Sequence, residues 1–293
     1  MQHRLLCVLA HPDDESLALG GVLARYAAEG VETYLVTATS GEQGWQGAPA
    51  EHPGAWKLAR IREAELRAAA KILAIHDLSL LRFPDGGLAT TDPAALIAQI
   101  AQAVRRIRPH VVVTFGPDGA TGHPDHMALS QLTTAALFCA ADPTYRTSEG
   151  EAAHRAPKLY YLAPTRARLD AYEQIFGDSA MTVDGRRRAV PGWPEWAISA
   201  SINAKAYVEQ VRRAIACYRS QLPLLDTLGR LAPNIHTELW GTTTFYRVYS
   251  LVNPEQQHEI DLFAGVSGEA RVVTPVRESG VKPDISWLGR IVP

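Results

Sequence analysis

The chain has 293 residues, 46% of them hydrophobic, and a formal net charge of -2. That is enough apolar chain for a sizeable core, and it lacks the basic excess with which nucleic-acid binders meet phosphate. Its three cysteines, Cys7, Cys139 and Cys217, lie far apart among apolar residues and form no Cys-x-x-Cys pair, so they read as free thiols of a reducing compartment.

Residues 4–10 are a continuous apolar run, as expected of a strand covered on both faces. The run ends in His11-Pro12-Asp13-Asp14-Glu15. Residues 16–29 then show helical spacing up to Gly30, and residues 31–38 read as a second strand. Residues 39–54, rich in Gly, Pro, Ser and Gln, read as a loop, and 55–74 as a second helix. A short strand at 77–81 leads to the loop Pro84-Asp85-Gly86-Gly87. A third helix at 93–107 is ended by Pro109, and 110–115 is the clearest strand of the chain. The Gly-rich loop 116–122 follows. His123-Pro124-Asp125-His126 then opens a helix that runs to residue 140.

Such strand–helix alternation specifies a mostly parallel sheet with helices on both faces, a Rossmann-like three-layer αβα fold. The usual order sets strands three, two, one and four side by side, so the winding reverses between strands one and four. Ligands bind outside the carboxyl ends of the strands at such a switch. Both His-Pro-Asp segments follow these two strands, so they are expected to face each other across the crevice. The Gly-x-Gly-x-x-Gly fingerprint of dinucleotide folds is absent after strand one.

Beyond residue 141 the elements read as a strand at 158–163, a helix at 166–176, a loop at 177–195, a helix at 203–219 and a strand at 239–252. The organisation expected is a catalytic core at 1–145, an α/β elaboration of the same domain at 146–263, and an extended tail at 264–293. The late strand and the tail are candidate contacts for a homo-oligomer. Arg186-Arg187-Arg188 reads as a solvated loop. The single N-terminal apolar run is too short for a signal peptide, and no stretch approaches the roughly 20 apolar residues of a membrane helix. The expectation is a soluble cytoplasmic protein with no membrane or nucleic-acid partner.

Two histidines and a carboxylate with open coordination positions match a catalytic zinc site, at which a bound water becomes nucleophilic near neutral pH. Asp13 and Asp14 project in different directions from one turn, so one can hold a metal while the other moves a proton. His123 and His126 share a helical face. Ferrous iron suits the same ligand types. The other histidines lack partners at ligand spacing and read as surface or strand-end residues.

At these residues the chain resembles the PIG-L/LmbE-like zinc-dependent N-deacetylases. The resemblance rests on Ala10 to Glu15 and Gly122 to His126. It extends through about residues 4–140, with the Arg62-x-x-Glu65-Leu66 helix, the Asp85-Gly86-x-Leu88 loop and the Pro109–Thr114 strand, and with Ser220-Gln221 as a later match. It implies hydrolysis of the N-acetyl amide of an N-acetylglucosamine conjugate, giving acetate and the free amino sugar. It implies zinc ligation by His11, Asp14 and His126, proton abstraction by Asp13, and oxyanion stabilisation by His123, with Asp125 orienting His123. Arg62 and Asp85 match positions near the sugar. In mycothiol-pathway members a tyrosine precedes the second motif, and here that position is Thr121. The alternative is a thiol-conjugate amidase using the same site. A two-metal phosphoesterase would need a second ligand set, and a pure sugar-binding module would need no base.

Overall fold

The computed structural model describes residues 2–177, 181–183, 186–188, 192–221, 230–253, 255 and 258–266. Its central sheet has seven strands in the order β3-β2-β1-β4-β5-β9-β8. These are β1 (Arg4–Leu9), β2 (Glu32–Thr39), β3 (Asp77–Phe83), β4 (Val111–Phe115), β5 (Lys158–Leu162), β8 (Ala200–Asn203) and β9 (Thr242–Ser250). Strands β1 to β5 are mutually parallel, while β9 runs antiparallel to both β5 and β8. The Rossmann-like reading therefore holds, with a mixed edge.

The strands follow from their composition. β4 is Val-Val-Val-Thr-Phe and wholly buried, and five of the six residues of β1 are buried. Both are central strands covered on two faces, where branched side chains pack well. The principal helices are α1 (Asp14–Ala28), α2 (Ala55–Ile72), α3 (Pro93–Ile107) and α5 (Pro124–Ala141). Right-handed crossovers put α1 and α2 on one face and α3 and α5 on the other. α3 packs on α5 accordingly, and α7 (Val208–Ile215) packs on α1 and α2.

Several local expectations differ from the structure. The Gly-rich loop after β4 contains a single helical turn, α4 (Gly119–Gly122). The expected loop at 177–195 contains an antiparallel hairpin, β6 (Met181–Val183) with β7 (Arg186–Arg188), so the triple-arginine run is strand. The helix expected over 203–219 shrinks to α7, because only Val208, Val211, Ala214 and Ile215 present a buried stripe at helical spacing. β8 was not expected. Nor was α8 (Pro233–Trp240), which starts on Pro233 and buries His236, Leu239 and Trp240. Of the expected tail, residues 267–293 lie outside the described residues.

The C-terminal elements join the same sheet through a buried clamp. Lys158 and Glu259 are both fully buried and paired at 2.6 Å. Lys158 Nζ also donates to the carbonyls of Leu262 and Ala264, and the Tyr160 hydroxyl donates to Glu259. No helix among the described residues is long and apolar enough to cross a membrane.

Candidate metal centre

The loops after β1, β2, β3 and β4 converge at the switch point. His11 follows the end of β1, and its ring meets two motifs at once. His11 Nδ1 lies 3.1 Å from His126 Nε2 and 3.6 Å from Asp14 Oδ2. His126 Nε2 lies 3.5 Å from Asp14 Oδ1. Three donor atoms bonded to one tetrahedral ion at about 2.0–2.2 Å would stand about 3.3–3.6 Å apart. The two imidazole nitrogens are close enough to share one divalent ion, each meeting a different oxygen of Asp14, and among the described residues the sets His11–His123–His126 and His11–Asp85–Asp125 also bring one donor atom per residue within 4.8 Å of one another.

The remaining ring nitrogens are committed in the way metal-ligating histidines require. His126 Nδ1 faces the Gly119 carbonyl at 3.0 Å, which leaves its Nε2 lone pair for a metal. The His126 ring also stacks on Phe115, with centroids 3.9 Å apart. His11 Nε2 faces Asp85 Oδ1 at 3.1 Å and Asp125 Oδ2 at 3.3 Å. Burial pulls the His11 pKa down, but its hydrogen bonds to Asp125 and Asp85 and the charge of Asp14 lift it to about 10. Burial takes His126 down to about 4, with Asp14 opposing and the neighbouring histidines adding. Asp13, Asp14, Asp85, Asp125 and Glu15 crowd here around one arginine, Arg62, and a dication complements that surplus of acid.

Asp13 stands at the mouth of α1 in a conformation few residues accept, with φ at 110° and ψ at -26°. Three contacts hold it there. Its backbone N–H donates to Glu15 Oε2 at 3.1 Å. Its carboxylate accepts from Arg62 Nη2 at 2.9 Å, and the same nitrogen donates to the Pro12 carbonyl. Glu15 is itself held by the Tyr218 hydroxyl at 2.6 Å. Burial raises the Asp13 pKa to about 7, opposed by Arg62 and reinforced by Asp14 and Glu15.

His123 caps α5: its Nδ1 accepts from the Asp125 N–H at 3.1 Å. The proton of the neutral ring then sits on Nε2, available to a substrate oxygen. Burial, followed by the charge of His11, lowers its pKa, so the ring is neutral at pH 7. The ring edge meets His11 at a centroid distance of 4.7 Å.

Three residues stand elsewhere than expected. The Asp125 carboxylate does not orient His123. It accepts from the backbone N–H groups of Gly86 and Leu88 and faces His11, because the β3 loop reaches it first. Asp85, expected at the sugar, is turned onto His11 and accepts from the Gln43 N–H at 2.8 Å. Arg62, also expected at the sugar, is buried under Asp13 and donates to the Gly41 carbonyl at 3.0 Å. Gly41 makes room for it: φ is +68° there, and a Cβ would come within 2.5 Å of Arg62 Nη1. Glu65 does not pair with Arg62 but accepts from Ser220, which ties α2 to the segment carrying Tyr218. The supports from Tyr218 and Gly119 have no motif of their own, so nothing in the sequence marks them. Of the histidines read as surface or strand-end residues, His110, His154 and His236 are buried.

Comparison with known proteins identifies relatives of the chain. The family described as PIG-L, GlcNAc-PI de-N-acetylase, matches residues 6–137. A 1D-myo-inositol 2-acetamido-2-deoxy-alpha-D-glucopyranoside deacetylase of Geodermatophilus obscurus is 32% identical over 295 residues, covering 90% of this chain and 98% of that protein. Among solved structures, a conserved protein of Thermus thermophilus superposes with a TM-score of 0.60 at 29% identity, covering 84% of this chain and 95% of that one. A 4-carboxy-2-hydroxymuconate hydratase of Pseudomonas putida gives 0.63 at 19% identity, covering 86% and 98%. The last shares the fold alone, so the reaction must be argued from the site. With a relative 32% identical over nine-tenths of its length and the family match over residues 6–137, the chain belongs to the PIG-L family.

Proposed function

We propose that the protein is a metal-dependent N-deacetylase that hydrolyses the N-acetyl amide of an N-acetylglucosamine conjugate. The observation that carries this is the convergence of His11, Asp14 and His126 within 3.1–3.6 Å, with the Asp13 carboxylate beside them. The name of the Geodermatophilus relative supports an inositol-linked amino sugar as the substrate to try first. Zinc is the metal the donor set favours, two imidazoles and a carboxylate being common in zinc hydrolases.

A dication held by His11, Asp14 and His126 would polarise the amide carbonyl and acidify water. Asp13 takes the proton of the attacking water, a transfer suited to a carboxylate whose pKa is near 7. His123, neutral and protonated on Nε2, donates a hydrogen bond to the oxygen that gains charge as the tetrahedral centre forms. The proton on Asp13 then passes to the departing amine nitrogen, which balances the step. Arg62 and Glu15 hold Asp13 in place throughout. Thr121 stands where mycothiol-pathway relatives carry a tyrosine, so of the second motif His123 is the donor left for the oxyanion.

Metal analysis of the purified protein, alongside acetate release from N-acetylglucosamine linked to inositol, tests the reading. Asp13→Asn is expected to retain metal and to lose about 10²–10⁴-fold in kcat. His11→Ala is expected to lose the metal. Full turnover in protein stripped of metal, or none with any N-acetylated amino sugar in loaded protein, overturns the proposal.

A further inference from the structure

The proposed base sits in a turn that needs holding from outside. Asp13 has φ at 110°, a region uncommon for any residue with a side chain, and two grips keep it there. Arg62 holds the carboxylate at 2.9 Å. Glu15 holds the backbone, accepting the Asp13 N–H on Oε2 at 3.1 Å. The second grip is only as firm as Glu15 itself.

Glu15 is fully buried, and its other oxygen takes two hydroxyls. Ser16 is the next residue, so its bond moves with the turn and anchors nothing. Tyr218 donates to the same Oε1 at 2.6 Å from 203 residues away, and of the two it alone ties the turn to another element. Burial, reinforced by the Glu15 charge, raises the Tyr218 pKa well above the usual phenol value, so the hydroxyl stays a donor. Its neighbours fix it in turn. Ser220 donates to Glu65 of α2 through its N–H at 2.8 Å and its hydroxyl at 2.7 Å, and Gln221 Nε2 donates to the Gly44 carbonyl at 2.7 Å. Residues 218–221 therefore brace the base turn against α2 and against the loop after β2.

Substrate space is set by other elements. The cavity of about 190 Å³ beside the ligands is walled by Asp14, His126, Phe115, Trp240 and, from α6 (Arg166–Phe176), Arg168 and Tyr172, and Tyr218 does not line it.

We infer that Tyr218 is a positioning residue of the reaction, which holds Asp13 in its working orientation through Glu15 without touching metal or substrate. This rests on the reading of Asp13 as the base. Without the hydroxyl, Arg62 still pairs with the Asp13 carboxylate, so the charge partner stays and the orientation goes. Displacement of a general base falls on kcat.

Tyr218→Phe keeps the ring and deletes the hydroxyl. In zinc-loaded protein, acetate release from N-acetylglucosamine linked to inositol should lose about 10–100-fold in kcat, with KM within about twofold. Zinc affinity, read by competition with a chromogenic chelator, should also stay within about twofold, because no ligand is touched. In an Asp13→Asn background Tyr218→Phe has no base left to position, and should change the residual rate by less than about twofold. A purely structural role would lower the rate alike in both backgrounds. Glu15→Gln leaves the Tyr218 ring in place and should reproduce the kcat loss at constant KM; it decides the matter if Tyr218→Phe proves unfolded by circular dichroism. Full kcat in folded Tyr218→Phe or in Glu15→Gln, equal losses in the two backgrounds, or loss of zinc overturns the inference. Full kcat in Asp13→Asn overturns the base reading and this inference with it. Loss of kcat in Asp13→Asn with none in Tyr218→Phe overturns this inference alone.

Discussion

Arg62 Nη2 lies 2.9 Å from Asp13 Oδ2, and the same guanidinium donates to the carbonyls of Pro12 and Gly41. One side chain thus sets the charge of the proposed base and the backbone that presents it. Its position in the middle of α2 lets a helix from the flank of the sheet brace the turn after β1.

Removing that charge should move the pH profile. Arg62 opposes the burial that raises the Asp13 pKa, so Arg62→Gln should raise it further. The acidic limb of kcat/KM should then shift upward by about one unit, with a kcat loss of roughly 10–100-fold at pH 7. Arg62→Lys should shift the limb less. An unmoved limb in Arg62→Gln would show that Asp13 is not the group whose titration limits the rate.

In the proposed centre Asp85 would support the metal-binding His11 from behind. Its carboxylate faces His11 Nε2 at 3.1 Å, and such outer partners tune ligand basicity and ring orientation. Asp85→Asn should weaken metal affinity about 10–100-fold, read by competition with a chromogenic chelator. A residue that contacted only the sugar would raise KM and leave metal affinity as it was.

The Lys158–Glu259 pair should behave as a buried ion pair does. Among the described residues, Lys158→Met leaves the buried Glu259 carboxylate with Arg247, Asn253 and Tyr160, and should cost about 3 kcal/mol in denaturant unfolding. The double variant Lys158→Met with Glu259→Gln should cost less than the sum of the singles. Additive losses would show that the two residues act independently.

A buried histidine should make the protein less stable in mild acid. Burial, aided by the charges of Arg108, His110 and Arg4 and opposed by the bond to the Pro109 carbonyl, lowers the His154 pKa to about 4. The unfolded chain takes this proton near pH 6.5 and the folded chain only near 4. Between those values the unfolded state binds more protons, so this contribution is complete above pH 6.5 and is lost as pH falls towards 4. At pH 5 the loss amounts to about 2 kcal/mol. His154→Gln should narrow the stability difference between pH 7 and pH 5 by roughly that amount. An unchanged difference would mean that His154 is protonated in the folded state.

Much of the centre was legible because its ligands are local. His11 and Asp14 sit in one turn directly after the apolar run of β1, and His123 and His126 open the helix that follows β4 and its Gly-rich loop. Strand order then brings the turns together, because a right-handed crossover from β3 must pass over β1 and β2 to place β4 beside β1. The assignment of Asp125 went astray on the same local logic. His123 is its neighbour in sequence, but the β3 loop offers it two N–H groups and turns its carboxylate to His11.

The sequence by itself determined the alternation of strand and helix, the parallel core, the switch-point crevice and the two ligand-bearing turns. Each of these is written in periodicity or in residues close along the chain. Tertiary structure alone decided which groups stand behind the ligands and the base: Arg62 on Asp13, Asp85 on His11, Tyr218 on Glu15. It alone decided that Arg168 and Tyr172, from beyond the family motifs, line the cavity that Asp14 and His126 also line. The physical reason is the same throughout. A buried charge is stabilised by whichever partner the packing brings within hydrogen-bond distance, and that partner has no required spacing in sequence.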